Sequence, residues 1–142
     1  MFFASPSDRS LLHGKRILII EGDDELFRAL TEILAAAGCA VTDATMLGAG
    51  EHASEASVWV LDRVVDLALV DDDPTNSASR IWIQHLKERG IPMLIAYDPA
   101  CPHSTPNSCS QRLRKPFTEL QLLDSLSEVV AFGARAPCRL AR

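Results

Sequence analysis

The chain has 142 residues, a length that corresponds to one domain with room for a sizeable core. Hydrophobic residues make up 47% of it and charged residues 23%, a globular balance that excludes a disordered chain. The formal net charge of -5 argues against nucleic acid as a direct partner, and no apolar run has the length that a membrane span needs.

Cysteine usage and the first residues of the chain bear on its cellular compartment. The four cysteines form no C-x-x-C pair, and their spacing matches neither a zinc site nor a disulfide framework, which favours unpaired thiols. Residues 1–14 lack the basic region and apolar run of a signal peptide and show no sustained hydrophobic period, so we interpret them as a loose leader. We therefore predict a cytoplasmic protein.

The first part of the chain alternates predicted strands and helices. Residues 17–20 are four consecutive branched apolar residues, a pattern typical of a strand buried on both faces. After an acidic turn, apolar residues recur at spacings of three and four over residues 26–37, which predicts a helix that Gly38 ends. Residues 39–44 are predicted as a second strand, and residues 48–61, rich in Ala and Glu, as a helix.

The middle of the chain repeats this alternation. Residues 65–70 predict a third buried strand, residues 78–89 a helix and residues 92–96 a fourth strand. Trp59 and Trp82 have apolar neighbours at helical spacing, which favours packing in the core over a partner surface.

The last part begins with a break in the pattern. Residues 98–110 contain three prolines, which disfavour a regular helix because each removes a donor and clashes with the preceding turn. Residues 111–114 predict a fifth strand. Thr118 and Gln121 have the spacing of a capping box, which predicts the start of a last helix that Gly133 ends.

Strands and helices that alternate in this way form parallel sheets with crossover helices. We therefore predict an α/β fold with a doubly wound, five-stranded parallel sheet over residues 15–132 and a C-terminal tail over residues 133–142. In such sheets, ligands bind outside the carboxyl ends of the strands.

Polar side chains cluster at three of these predicted strand ends. They are Glu21, Asp23 and Asp24 after the first strand, Asp71 to Asp73 after the third, and Lys115 after the fifth. Carboxylates at neighbouring strand ends can share a hard cation such as Mg²⁺. A carboxylate beside a metal and a lysine is also a plausible nucleophile toward phosphorus. The alternative is that these are solvated loop acids, but their joint position at carboxyl ends favours a site.

The sequence resembles the receiver domain of two-component response regulators over residues 15–131. The matching segments are residues 17–21, 67–71, 90–93 and 115–117. The resemblance implies a flavodoxin-like fold and a cis bond between Lys115 and Pro116. The proline-bearing stretch over residues 98–110 is similar to a subgroup linked to certain proteobacterial sensor kinases, in which the fourth helix is short or disordered.

The resemblance also implies roles for individual residues. Asp71 matches the phosphoacceptor and Lys115 the lysine that reaches the phosphoryl group. Glu21 matches the first acid of the metal pair, which acts through water, and Asp73 matches the position whose backbone carbonyl ligates the metal. The implied cofactor is weakly bound Mg²⁺, and the implied partners are a sensor histidine kinase or phosphotransfer protein and a downstream protein.

Three positions depart from the family pattern. Gly22 stands where the second acid would ligate the metal directly, and Asp23, one residue later, is a possible substitute. Tyr97 stands where a Ser or Thr grips the phosphoryl oxygen, and its bulk would fill the phosphate pocket or bring it to Asp71. Arg112 stands where the family keeps an aromatic switch residue.

Two hypotheses follow. The first is a single-domain response-regulator receiver that accepts a phosphoryl group on Asp71 in a phosphorelay and is not itself an enzyme, since no separate nucleophile–base pair is evident. The second is a pseudo-receiver, a phosphorylation-independent interaction module, which the departures at Gly22, Tyr97 and Arg112 favour. The sequence leaves open whether the chain acts alone or is a fragment of a longer protein.

Overall fold

A parallel sheet forms the centre of the molecule. The computed structural model describes residues 9–43, 65–72, 77–100 and 110–133. Its strands are β1 (Arg16–Ile20), β2 (Ala40–Asp43), β3 (Leu67–Asp71), β4 (Met93–Tyr97) and β5 (Ser110–Arg114). The strand order is β2-β1-β3-β4-β5, and every neighbouring pair is parallel.

Helices cover both faces of this sheet. The described helices are α1 (Asp24–Ala36), α2 (Ser77–Glu88) and α3 (Glu119–Gly133). Successive strand residues point to opposite faces, so Ile17 and Ile19 of β1 join α1 and α3 in one core cluster. Leu18 and Ile20 join Trp82 and Leu86 of α2 in the other. The predicted doubly wound, five-stranded α/β sheet is confirmed.

Local sequence signals set the helix ends. Gly38 and Gly90 follow α1 and α2 with φ of +89° and +72°, the left-handed conformation that glycine adopts at no steric cost. The predicted capping box precedes α3. The Thr118 N–H donates to Gln121 Oε1 at 2.9 Å, and the Gln121 N–H donates to Thr118 Oγ1 at 3.1 Å. These contacts satisfy two backbone donors that a helix start leaves without partners.

Some predicted elements lie outside the described residues. They are the helix over residues 48–61 with Trp59, the stretch 101–109 that includes the predicted short or disordered fourth helix, and the tail after Gly133. None of the helices in the described ranges is long and apolar enough to cross a membrane.

The end of the predicted leader packs on the domain. Arg9–Leu12 form a 3-10 helix, and the Leu12 side chain is completely buried in the α1–α3 core cluster. The Cys39 thiol donates a hydrogen bond to the Leu12 carbonyl at 3.4 Å. The interpretation of residues 1–14 as loose is therefore wrong for residues 9–12, because the Leu12 side chain is buried in the core. The boundary at residue 15 stays a prediction.

An ion pair joins the amino ends of β1 and β3, at the sheet edge opposite the polar strand ends. The Arg16 backbone N–H and Nε donate to Asp66 Oδ2 at 2.8 and 3.1 Å, and Nη2 donates to Oδ1 at 2.9 Å. The Asp66 N–H returns a hydrogen bond to the Arg16 carbonyl at 2.7 Å. The side-chain hydrogen bonds from Arg16 hold the pKa of Asp66 below its usual value.

This ion pair predicts a pH-dependent loss in the Asp66→Asn variant. We expect urea unfolding at pH 7 to show that the variant loses about 1–2 kcal/mol of unfolding free energy. This is below the full value of a hydrogen bond to a charged group, because the Asp66 side chain is about a third exposed to water. The pKa of Asp66 is lower in the folded than in the unfolded protein. The stabilisation by its ion pair is therefore fully present above the pKa of the unfolded chain, about 3.9, and disappears as pH falls through the pKa of the folded protein. The gap between wild type and variant should therefore close in acid.

The control for Asp66 is Glu32→Gln on the exposed face of α1. It should stay close to wild type in the same pH series. A gap between wild type and Asp66→Asn that keeps its size below the folded pKa would rule out this explanation.

Candidate functional site

Asp71 and Lys115 meet at the carboxyl edge of the sheet. Asp71 ends β3, with Ala96 of β4 as its Cα partner, and Lys115 follows β5 directly. The Lys115 ammonium donates to Asp71 Oδ1. Its backbone N–H donates to the Tyr97 carbonyl at 2.8 Å, which fixes the start of the β5–α3 loop against β4. Two residues that are 44 apart in sequence therefore form one ion pair, in which the Asp71 side chain is only 11% exposed.

The loop after β5 continues this edge of the molecule. The peptide bond between Lys115 and Pro116 is cis, as the family resemblance implies. Beside it opens a cleft lined by Leu26, Asp98, Lys115, Pro116 and Phe117. The Asp71–Lys115 pair therefore lies next to an accessible cleft with apolar walls.

Glu21 lies in the electrostatic field of this pair. It follows β1 directly, so it reaches the same sheet edge as Asp71. Burial raises the pKa of Glu21, and the negative charge of Asp71 raises it further. The Asp23 N–H and the Lys115 ammonium act in the opposite direction and lower the pKa. The structure therefore brings together three of the predicted site residues, Glu21, Asp71 and Lys115.

Asp23 has a different local role. Its Oδ1 accepts hydrogen bonds from the Glu25 and Leu26 N–H groups at 2.9 and 3.1 Å, which makes it the N-cap of α1. Its own N–H donates to Glu21 Oε2 at 3.2 Å. Sequence reasoning missed this cap, although an Asp directly before an acidic first turn and an apolar helical stripe is the usual signal for one.

The described residues fit Mg²⁺ poorly. Within residues 9–43, 65–72, 77–100 and 110–133, no three His, Cys, Asp or Glu side chains come close enough together to hold a metal ion. Gly22 supplies no carboxylate, Asp23 caps α1, and Asp71 Oδ1 accepts from Lys115. Asp73, whose carbonyl was predicted to ligate the metal, lies outside the described residues. Of the predicted metal ligands, Glu21 and Asp71 are the ones that the described part of the chain brings close to Lys115.

Tyr97 and Arg112, which both depart from the family pattern, contact each other. The Arg112 guanidinium carbon lies 4.2 Å from the centroid of the Tyr97 ring, a cation–π contact. The β4–β5 register explains it, because Ile95 is the Cα partner of Arg112 and Tyr97 is two residues further along the same face. In the described part of the chain, Tyr97 makes no hydrogen bond to Asp71, since its ring packs against Arg112 instead.

The fold matches solved structures of signalling proteins. The PhyR stress response regulator is 19% identical, with a TM-score of 0.61 over 91% of this chain and 50% of that chain. The anti-anti-sigma factor PhyR from Bartonella quintana is 16% identical, with a TM-score of 0.61 over 91% and 53%. A CheY-like receiver domain protein from Methanospirillum hungatei JF-1 is 19% identical, with a TM-score of 0.60 over 86% and 98%.

The chain has the fold of response regulator receiver domains. No family model and no curated protein sequence matches it. It spans about half the length of the two PhyR chains and nearly all of the Methanospirillum hungatei receiver. Because the identities are below one fifth, the likeness establishes the receiver fold, and the functional argument depends on the residues at the sheet edge.

Proposed function

We propose that this receiver domain accepts a phosphoryl group on Asp71 from a histidine kinase or phosphotransfer protein in a phosphorelay. The observation that carries the proposal is the Lys115 ammonium on Asp71 Oδ1 at the carboxyl edge of the sheet. That edge is where parallel α/β sheets bind their ligands. The neighbouring cleft is lined by Lys115, so a donor group in it would reach the lysine side of this ion pair.

The proposed chemistry uses a carboxylate nucleophile and a cation beside it. An Asp71 oxygen attacks the phosphorus of a phosphohistidine, a P–O bond forms, the P–N bond breaks, and the proton needed by the leaving imidazole comes from water. The aspartyl-phosphate carries more negative charge than the free carboxylate. The Lys115 ammonium contacts Asp71 Oδ1, so it lies beside the carboxylate on which that charge develops and can stabilise it.

The test is phosphoryl transfer from acetyl phosphate or a phosphorylated histidine kinase, followed by intact-protein mass spectrometry. We expect one phosphoryl group per chain on the wild type and none on Asp71→Asn. An unmodified wild type at saturating donor would overturn the proposal.

One observation favours the pseudo-receiver as a second candidate. A side chain that moves on activation has to leave its resting contacts, and here Tyr97 is held by the Arg112 guanidinium. Such a contact is worth about 0.5–1 kcal/mol at an exposed site. In this candidate, the surface formed by β4 and β5 keeps one conformation whatever the state of Asp71, and a partner binds that surface directly.

The single tyrosine of the chain can report on this candidate. Labelling with 3-fluorotyrosine gives one ¹⁹F resonance, at Tyr97. If the Arg112 contact holds Tyr97 in its resting position, beryllofluoride leaves the resonance unshifted. Arg112→Gln shifts it, because the ring loses its contact with the guanidinium. Arg80→Gln, an exposed arginine on α2, is the matched control and should cause no shift. A beryllofluoride-induced shift in the wild type would exclude a fixed Tyr97 and favour a receiver in which Tyr97 responds to the state of Asp71.

A further inference from the structure

The donor set at the carboxyl edge departs from that of a divalent-cation site in three ways. Gly22, at the position of a direct ligand, has no side chain. The Asp23 carboxylate is used to cap α1. The Asp71 carboxylate already has a cation, because the Lys115 ammonium donates to its Oδ1.

Lys115 is well placed to remain the cation that contacts Asp71. Its backbone N–H is bonded to the Tyr97 carbonyl, and its ammonium reaches back to β3. A divalent cation on Asp71 would sit close to this ammonium in a site where the carboxylate is only 11% exposed, so the two positive charges would repel each other with little screening by water. A site that favours the metal would need an additional carboxylate to offset this repulsion.

We propose that Lys115 takes the place of a divalent cation as the counter-ion of Asp71 in the resting protein, and that Gly22 is the residue that excludes the metal. The site then pairs one lysine with Asp71, with no metal needed to hold its resting geometry. This inference concerns the unphosphorylated protein and holds whether or not Asp71 accepts a phosphoryl group.

The substitution that tests this proposal is at Gly22, in the turn after β1. Gly22 is exposed, and the positive-φ glycines of the described residues are Gly14, Gly38 and Gly90. Gly22 is not one of them, so the left-handed backbone that disfavours side chains is no obstacle to a substitution there. Gly22→Asp restores the missing carboxylate, and Gly22→Asn is the matched control, with the same size and no charge.

The experiment uses Mn²⁺, a paramagnetic cation with the same preference for oxygen ligands as Mg²⁺. The full chain is labelled with 3-fluorotyrosine, because Tyr97 lies one residue beyond Ala96, the Cα partner of Asp71. Mn²⁺ bound at Asp71 would therefore broaden the single ¹⁹F resonance. Addition of Mg²⁺ in excess should reverse the broadening wherever it comes from a shared site.

We expect the wild type to broaden no more than Asp71→Asn at the same Mn²⁺ concentration. Gly22→Asp should show saturable broadening that Mg²⁺ reverses. Its Mn²⁺ affinity should be about 10-fold or more higher than that of Gly22→Asn, since even residues that only hydrogen-bond to metal ligands change metal affinity on this scale. Saturable broadening of the wild type that Asp71→Asn abolishes would overturn the proposal. Equal behaviour of Gly22→Asp and Gly22→Asn would overturn the role of Gly22. Phosphoryl acceptance is measured separately by mass spectrometry, so each of the two proposals can fail without the other.

Discussion

Replacing Asp71 by asparagine is expected to abolish phosphoryl acceptance, and replacing Lys115 by alanine to slow it by about 10²–10³-fold. The asparagine keeps the size of the side chain and an oxygen that can accept from Lys115, but it removes the nucleophilic carboxylate and the charge of the ion pair. The alanine removes the ammonium that contacts Asp71 Oδ1, which leaves the charge that develops on the phosphoryl group without its nearest described cation. Rates are measured as the fraction of phosphorylated chain against time, with acetyl phosphate as the donor.

Two variants on the surface serve as controls for this prediction. Glu32→Gln removes an exposed carboxylate from α1, and Lys87→Ala removes an exposed ammonium from α2. Both should be phosphorylated at the wild-type rate. Lys115→Arg should fall between wild type and Lys115→Ala, because it keeps the charge with a different geometry. Wild-type rates in Lys115→Ala would show that the ion pair has no part in the transfer.

Replacing Trp82 by alanine is expected to cost about 3–5 kcal/mol of unfolding free energy. Trp82 is 1% exposed and is among the largest fully buried side chains of the described residues. It fills the core cluster between α2 and the sheet, and its ring meets His85 edge-on with centroids 6.3 Å apart. Because a small domain has a total stability of about 5–15 kcal/mol, this loss would leave the variant marginal.

Urea unfolding followed by circular dichroism measures the effect of Trp82. Trp82→Phe, which keeps an aromatic ring, should lose less and remains measurable if the alanine variant does not fold. Gln84→Ala is the control, because Gln84 lies on the exposed face of the same helix and alanine favours helix at least as well. A loss below about 0.5 kcal/mol in Trp82→Ala, the scale of surface substitutions, would contradict the core role.

The architecture was predictable because its signals are local or follow from chain direction. Continuous apolar runs marked β1, β3 and β4, and the spacing of Thr118 and Gln121 marked the start of α3. The carboxyl ends of parallel strands share one edge, so the position of Asp71 after one strand and Lys115 after another predicted that they would lie near each other. Core packing of Trp82 followed from its apolar neighbours at helical spacing.

Other features depend on which residues meet in space. Leu12 gave no sequence signal of burial, since its short 3-10 segment shows no hydrophobic period, and it is buried because the α1–α3 core has room for it. The Arg16–Asp66 ion pair joins residues 50 apart in sequence that meet because β1 and β3 are neighbours in the strand order. No local pattern encodes such a contact.

By itself, the sequence determined the parallel sheet, its polar carboxyl edge and the residues at that edge, because these follow from hydrophobic period and strand direction. Only the tertiary structure decided what those residues do with one another. The β4–β5 register set Arg112 against Tyr97 rather than leaving Tyr97 to bond Asp71. The loop after β5 brought Lys115 onto Asp71, and the start of α1 took Asp23 as its cap. Each side chain has few polar groups, and the tertiary structure decides which neighbours are close enough to bond them.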